Sequence, residues 1–177
     1  MEQLPTTTGS RRLDGLLRAL GDGVSWLWLV LIGVIVANVV LRYVFASGRV
    51  EFEELQWHLY AVGFLCGLSY CVEADSHVRV DVLRERLSPR KRAWIELYGI
   101  LLLLLPFSAL ALVFGLPFAW ESWQSGEISA SPGGLPYRWL IKSALPLAFL
   151  LLALAAFSRL LRVGALLFGS APERGEH

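Results

Sequence analysis

The stretch LYGILLLLLPFSALALVFGLPFAW, residues 97–120, decides the fold, because none of its 24 side chains is charged. A helix needs about 20 mostly apolar residues to cross the ~30 Å hydrocarbon core of a bilayer. Three further uncharged runs, 24–41, 55–72 and 143–158, hold 18, 18 and 16 residues. In lipid, each backbone N–H and C=O must bond within its own segment, as a helix allows. The sequence therefore predicts four membrane helices.

The composition agrees with a chain that is embedded in lipid. Of its 177 residues, 55% are hydrophobic and 18% are charged, and the mean hydropathy is +0.55. A soluble domain carries a larger charged share, about 25%. We predict an all-α integral membrane protein in which residues 1–23 form a tail with an amphipathic helix, 24–168 form a four-helix membrane domain, and 169–177 form a second tail. The spans are expected at about 24–45, 54–72, 95–120 and 139–160.

A leucine stripe precedes the first span. Leucines at positions 13, 16, 17 and 20 recur at helical spacing, and Arg11, Asp14 and Arg18 lie away from them. This pattern is typical of a short amphipathic helix on the inner membrane surface. The sequence GDG at 21–23 is expected to break this helix before the first crossing. A disordered tail is the alternative interpretation.

The sixteen Lys and Arg residues are divided unequally between the connecting segments. Twelve lie in the two tails and the central loop, and four lie in the other two loops or beside them. The positive-inside rule therefore predicts that both termini and the central loop are cytoplasmic. The twelve are Arg11, Arg12, Arg18, Arg79, Arg84, Arg86, Arg90, Lys91, Arg92, Arg159, Arg162 and Arg174, and the four are Arg42, Arg49, Arg138 and Lys142.

Two prolines, Pro106 and Pro117, lie inside the third run. A proline has no N–H to donate, and its ring collides with the preceding turn of a helix. We expect the third helix to bend near Pro106.

Charged residues near the first loop suggest two local interactions. Arg42 ends the first span and can snorkel to the surface or pair with one of the acids Glu51, Glu53 and Glu54; snorkelling alone is favoured. Glu54 and His58 lie four positions apart, on one helical face. An interfacial hydrogen bond is favoured there over a proton-sensitive pair.

Glycines and prolines mark a packing position and a turn. Gly63 and Gly67 form a G-x-x-x-G in the second run, a spacing that lets another helix approach closely but is common by chance. The sequence SPGGLP at 131–136, with Pro132, Gly133 and Gly134, excludes regular helix or strand and predicts an ordered series of turns. Lys142, shortly after it, is expected to snorkel outward.

Enzyme motifs are absent from the sequence. There is no phosphate-binding G-x-x-x-x-G-K-[ST] loop and no G-x-S-x-G nucleophile elbow. Of the histidines, His58 alone falls in a predicted span, which leaves no pair for haem ligation. Glu73, Asp75, His77 and Asp81 are interpreted as caps and surface charges rather than metal ligands. We predict no catalytic, cofactor-binding or metal-binding residues, and a protein that is not an enzyme.

The middles of the predicted spans hold no ionisable side chain. They offer Asn38, Ser108 and glycines. A transporter that moves an ion or polar solute by itself usually places charges or broken helices at this depth. The chain therefore lacks an evident translocation path of its own.

Several motifs occur together in one known family. They are NVVLRYVF at 38–45, ELQW at 54–57, HVRVD at 77–81, LSPRKR at 87–92, LLPF at 104–107, and SPGGLP at 131–136 with IK at 141–142. In order, spacing and topology the chain resembles the small permease subunit of tripartite ATP-independent periplasmic (TRAP) transporters, the DctQ-type family. The resemblance covers roughly residues 26–159.

This resemblance implies a part in a secondary transporter of the bacterial inner membrane. In that family a periplasmic solute-binding protein captures an organic acid, a large multi-helix permease subunit imports it with sodium, and the small subunit braces the large one. A carboxylate substrate is favoured. The substrate and sodium sites would belong to the partners, so no cofactor is expected in this chain. The alternative function is a self-sufficient small four-helix transporter or channel.

The candidate subunit-interface or structural residues come from these features. The acids near the first loop and the turns around Gly133 are expected to contact the binding protein or the large subunit. Arg79 and Asp81 are expected to fix the inner loop by pairing locally or with the large subunit. The full set is Arg42, Glu53, Glu54, His58, Gly63, Gly67, His77, Arg79, Asp81, Pro132, Gly133, Gly134 and Lys142.

Overall fold

The computed structural model describes residues 8–74 and 87–168, which form four long helices, with no strand among the described residues. The helices are α1 (Thr8–Tyr43), α2 (Val50–Glu73), α3 (Pro89–Gln124) and α4 (Trp139–Phe168). They alternate in direction, because the start of α1 meets the end of α4 and the start of α2 meets the loop before α4. The predicted all-helical fold is confirmed.

Three of these helices are long and apolar enough to cross a membrane: α1, α3 and α4. At ~1.5 Å per residue, the 36 residues of α1 extend ~54 Å, which exceeds the ~30 Å hydrocarbon core. Helix α2 has 24 residues, but Gln56, His58 and two tyrosines interrupt its apolar sequence. Its crossing of the bilayer stays a prediction.

Helix α1 corrects the prediction of a separate N-terminal helix. It continues without interruption through residues 21–23, where a break was expected. Leu17, a member of the leucine stripe, is 2% exposed and packs with Val72 and Leu152. Burial against neighbouring helices compensates for the weak helix propensity of glycine, which costs about 1 kcal/mol per residue. Leu17 therefore contributes to the helical bundle, whereas Leu16 and Leu20 are exposed. A disordered tail is excluded for the described residues 8–20.

Helix α3 changes its hydrogen bonding just before Pro106. Residues Ile100–Leu104 form a π-helical turn, in which the N–H of Leu105 bonds to the carbonyl of Ile100. A proline cannot donate to the preceding turn, and π-helices occur mostly as single turns inserted in α-helices. Pro117 and Pro146 are accommodated inside α3 and α4. A bend was predicted near Pro106, and the change that the structure shows beside it is a π turn.

Helix α4 is the centre of the fold and contacts the other three helices, whereas α3 packs mainly against α4. Its buried face is rich in small side chains, including Ala144, Ala148, Ala155 and Ala156. Small residues let helix backbones approach closely in lipid, where apolar burial gives little driving force. The interior of the described bundle is therefore built on one face of α4.

Two glycine–aromatic contacts join α1 and α2. The ring of Tyr70 on α2 covers Gly21 on α1, so that a Cβ at position 21 would lie 2.9 Å from Tyr70 Cγ. In the opposite sense, the indole of Trp28 on α1 covers Gly63, and a Cβ at position 63 would lie 3.3 Å from Trp28 Cζ2. Gly67 has nothing within 4 Å of its Cβ position. Within the described bundle Gly63 alone is packed, by an indole rather than a backbone, and a contact of Gly67 with another helix stays a prediction.

The outside of the bundle is strongly apolar. Large side chains on α3, such as Leu102, Leu103 and Phe114, are each about two-thirds exposed or more. A soluble protein rarely exposes a continuous apolar surface of this kind. These faces are suited to lipid or to another membrane protein.

Replacing Gly21 by Ala should destabilise the protein, because the added methyl group meets the Tyr70 ring. Overpacking of this kind costs about 1–3 kcal/mol. The matched control is Gly23→Ala, whose methyl group has nothing within 4 Å. Thermal unfolding in detergent, followed by circular dichroism, measures the difference. Equal midpoints for the two variants would contradict the contact, and adding Tyr70→Ala to Gly21→Ala should restore part of the loss.

Candidate functional site

The polar side chains of the described residues gather at the two ends of the bundle. We call the end with residues 44–49 and 125–138 the loop end, and the opposite end, with Thr8 and Phe168, the terminal end. Between them, Ser69 and Ser108 donate to carbonyls of their own helices, at 2.8 Å each. Among the described residues, no group of three or more His, Cys, Asp or Glu side chains could hold a metal ion.

The central feature of the loop end is a contact that we call the Glu54 latch, formed by Glu54, Ser129 and Leu135. The carboxylate of Glu54 accepts a hydrogen bond from the Ser129 hydroxyl and one from the Leu135 backbone N–H at 2.7 Å. Glu54 is only 8% exposed. Hydrogen bonds to an ionised acceptor are roughly twice as strong as neutral ones. The latch therefore ties the start of α2 to the loop between α3 and α4.

The two glycines of the SPGGLP segment permit this latch. Gly133 has φ +76°, a left-handed conformation that suits glycine. A Cβ at Gly134 would lie 2.5 Å from Ser129 Cβ and 2.9 Å from Glu54 Oε1. Backbone bonds close the turn from Gly134 N to Ser131 O at 2.9 Å and from Ser129 N to Leu135 O at 3.2 Å. The segment is the ordered series of turns that its composition predicts.

A second charged cluster closes the same loop onto α4. The Lys142 ammonium donates to the carboxylate of Glu127 and lies 4.1 Å from the centroid of the Phe118 ring. Arg138 lies 3.6 Å from the same carboxylate. The hydrogen bond from Lys142 lowers the pKa of Glu127 from its ordinary 4.5, with further help from the nearby positive charges. The sequence position of Lys142 suggested that it extends freely outward. The structure instead holds it in this cluster.

Arg42 differs from its favoured prediction, and His58 agrees with its own in part. Arg42 forms an ion pair with Glu53, so the guanidinium does not snorkel alone. The Nδ1–H of His58 donates to the backbone carbonyl of Glu54 at 2.5 Å, while the Glu54 carboxylate turns toward the latch. An interfacial hydrogen bond is present, as favoured, but it uses the main chain. Both residues stabilise the first turns of α2.

The terminal end holds a polar network that sequence reasoning missed. The Ser158 hydroxyl donates to Asp14 Oδ1 at 2.5 Å, and Arg162 lies 3.8 Å from the other Asp14 oxygen. Arg159, only 7% exposed, pairs with Glu96 and donates to the Val72 carbonyl at 3.3 Å. The network joins all four helices at this end. Its signal in the sequence is the position of Arg159 and Arg162 between small and apolar residues, where a helix interior is expected.

The sequence-predicted site residues therefore separate into three groups. The structure brings most of them together at the loop end: Arg42, Glu53, Glu54, His58, Pro132, Gly133, Gly134 and Lys142. Gly63 and Gly67 lie further along α2, where Gly63 contacts Trp28. His77, Arg79 and Asp81 lie outside the described residues, and their role stays a prediction. The partners Ser129 and Glu127 were not predicted, since both lie in a loop without periodicity.

Replacing Glu54 by Gln should loosen the loop at 125–138. The substitution removes the negative charge and presents an amide donor to Ser129 and Leu135, which are themselves donors. We expect faster amide hydrogen exchange in that loop, measured by mass spectrometry, with the helix interiors unchanged. Glu51→Gln, three residues earlier in the same helix, is the matched control. Exchange that is the same in both variants would show that the latch does not order the loop.

The Glu127–Lys142 pair should make stability depend on pH. Because the pKa of folded Glu127 is lowered, its contribution is fully present above pH 4.5 and is lost as the pH falls through the lowered value. Wild type should therefore unfold at a higher temperature than Glu127→Gln at pH 7, and the two midpoints should converge toward pH 3. Glu121→Gln, on an exposed side chain of α3, serves as the control. A difference that stays constant between pH 7 and pH 3 would contradict this assignment.

Comparison with known proteins assigns the chain to a family. No curated protein and no solved structure matches the chain. The family model described as the DctQ component of tripartite ATP-independent periplasmic transporters matches residues 31–165. That range includes the Glu54 latch, the Glu127–Lys142 pair and Arg159, and it covers well over half of the chain. The resemblance found in the sequence motifs is confirmed: the chain belongs to the DctQ family of TRAP transporter components.

Proposed function

We propose that this protein is the small membrane subunit that braces the large, multi-helix permease subunit of a TRAP transporter in the bacterial inner membrane. The family match over residues 31–165 carries the proposal. The distribution of polar groups supports it, since the described polar networks lie at the two ends of the bundle and the serines between them bond within their own helices. A path for a polar solute would need polar groups between the two ends of the bundle. The chain is suited to holding a partner and not to conducting a solute.

The bracing surface that we favour is α3 together with the N-terminal part of α1. Helix α3 packs mainly against α4, which leaves side chains such as Leu103 and Phe114 exposed. Membrane helices associate through close packing rather than hydrophobic drive. A second membrane protein can therefore cover α3 without disturbing the contacts around α4.

The orientation that we propose has both termini in the cytoplasm. Twelve of the sixteen Lys and Arg residues then lie on the cytoplasmic side, in line with the positive-inside rule. The loop end would face the periplasm, where the acids near Arg42 and the turns around Gly133 can meet a solute-binding protein. Arg79 and Asp81 would lie on the cytoplasmic side and fix the central loop against the large subunit.

The proposed cargo is an organic acid, with a carboxylate favoured, driven by a sodium gradient. The sodium and substrate sites are proposed to lie in the large subunit and the binding protein. This chain is proposed to need no cofactor. Its contribution would be to hold one part of the large subunit at a fixed depth and tilt in the membrane, while another part of that subunit moves.

Reconstitution in liposomes tests this function. The small subunit, the large subunit, both subunits, and both with the binding protein are compared for sodium-driven uptake of a radiolabelled organic acid. We expect uptake only from the complete set, because no single part holds the path, the capture site and the brace. Uptake by the small subunit alone would contradict the proposal and favour a self-sufficient transporter. Full uptake by the large subunit with the binding protein alone would show that the brace is not needed.

A further inference from the structure

A groove of about 320 Å³ lies between α1 and α2 at the loop end. Its polar lining comes from two carboxamides, Asn38 and Gln56, and from the ion pair of Arg42 with Glu53. None of these four residues belongs to the Glu54 latch or to the Glu127–Lys142 cluster. The groove is therefore a second polar feature of the loop end.

Two of the residues that line this groove each have one polar atom without a hydrogen-bond partner among the described residues: Asn38 Oδ1 and Gln56 Nε2. Both atoms are buried, and Asn38 as a whole is only 7% exposed. Burying a polar group without a partner is unfavourable, and such groups are rare in native structures. One atom is an acceptor and the other a donor. Together they form a complementary pair that a ligand carrying both functions can satisfy.

The mouth of the groove adds one charge of each sign. Arg42 and Glu53 pair with each other, yet their side chains remain 48% and 38% exposed. A ligand with a positive and a negative group can therefore contact both without leaving a charge unpaired. The groove is complementary to a zwitterion.

The surroundings of the groove place it at the membrane–water interface. Tyr43 and Trp57 line it and are 79% and 71% exposed, and exposed Tyr and Trp side chains are typical of the headgroup level. On the side toward the middle of α1, the wall is formed by Ile35 and Val39, which are also exposed. A ligand seated here has its polar part between charged and amide groups and its apolar part along α1. This is the layout of a phospholipid.

We propose that the groove binds the headgroup of a phospholipid with a primary ammonium, of the phosphatidylethanolamine class. The ammonium has three N–H donors, which suit Asn38 Oδ1 and Glu53, and the phosphate accepts from Gln56 Nε2 and Arg42. An acyl chain lies along Ile35 and Val39. A choline headgroup has a quaternary nitrogen with no N–H, so it leaves Asn38 unpaired. The proposal requires no partner subunit and holds for either orientation of the chain.

The experiment uses the purified full chain in nanodiscs that contain equal amounts of phosphatidylethanolamine and phosphatidylcholine. Native mass spectrometry counts the lipids that remain bound after release. We expect the ethanolamine lipid to be retained at least about fivefold over the choline lipid, the ratio that one net hydrogen bond supplies. Asn38→Leu and Gln56→Met, which keep the side-chain volume, should reduce the ratio to about one. Ser108→Ala, a buried position outside the groove, should leave it unchanged.

Several results would overturn the proposal. Equal retention of the two lipids by wild type would do so without any variant, and Gln56→Met decides the matter if Asn38→Leu does not fold. An unchanged ratio in both variants would remove the groove as the site. Displacement of the lipid by soluble phosphoethanolamine at matched concentration would show that the acyl chain is not recognised. A further contradicting result is a groove variant that fails to co-purify with the large subunit and yet keeps the lipid ratio of wild type. That result would show that a polar side chain of the large subunit, and not a lipid, occupies the groove.

Discussion

The constraint on which this structure depends is the requirement of lipid that polar groups find partners inside the protein. Backbone groups meet it by forming four helices, and Ser69 and Ser108 meet it by bonding to carbonyls of their own helices. Polar side chains that cannot bond within their own helix lie near the ends of the bundle. At one end the Glu54 latch and the Arg42–Glu53 ion pair join elements by charge, and at the other end the Arg159–Glu96 and Arg162–Asp14 pairs do so. Between them, close packing around small residues of α4 holds the fold.

This division of contacts agrees with a supporting role in a transporter. The latch and the Glu127–Lys142 pair make one rigid unit of α2, the long loop and α4, while Asp14, Ser158 and Arg162 join α1 to the opposite end of α4. A helix fixed at both ends cannot readily slide or open. By contrast, α3 packs mainly on α4 and exposes most of its apolar surface. Rigidity and a free apolar face are the properties that a brace for a second membrane protein requires.

Much of the fold could be predicted from the sequence, because uncharged runs, prolines and a Gly-Gly turn are local signals. The continuity of α1 could not, since glycines disfavour a helix locally, and the Tyr70 ring that packs on Gly21 belongs to another helix. The same holds for the candidate site. Glu54, Gly133 and Gly134 were identifiable by residue type, but Ser129, 75 positions from Glu54, carries no signal of its own. Likewise, Arg159 was counted only among the cations of the cytoplasmic side, because periodicity does not show which arginine has an acid such as Glu96 beside it.

The unbroken course of α1 has a mechanical consequence. A rod of ~54 Å without a hinge behaves as a lever, so a slight lean near Tyr43 is carried as a larger sideways shift of the Asp14 region. A broken helix would absorb that motion at its joint. Because Asp14 is linked to α4 through Ser158 and Arg162, such a shift would act directly on the contacts between α1 and α4 at the terminal end.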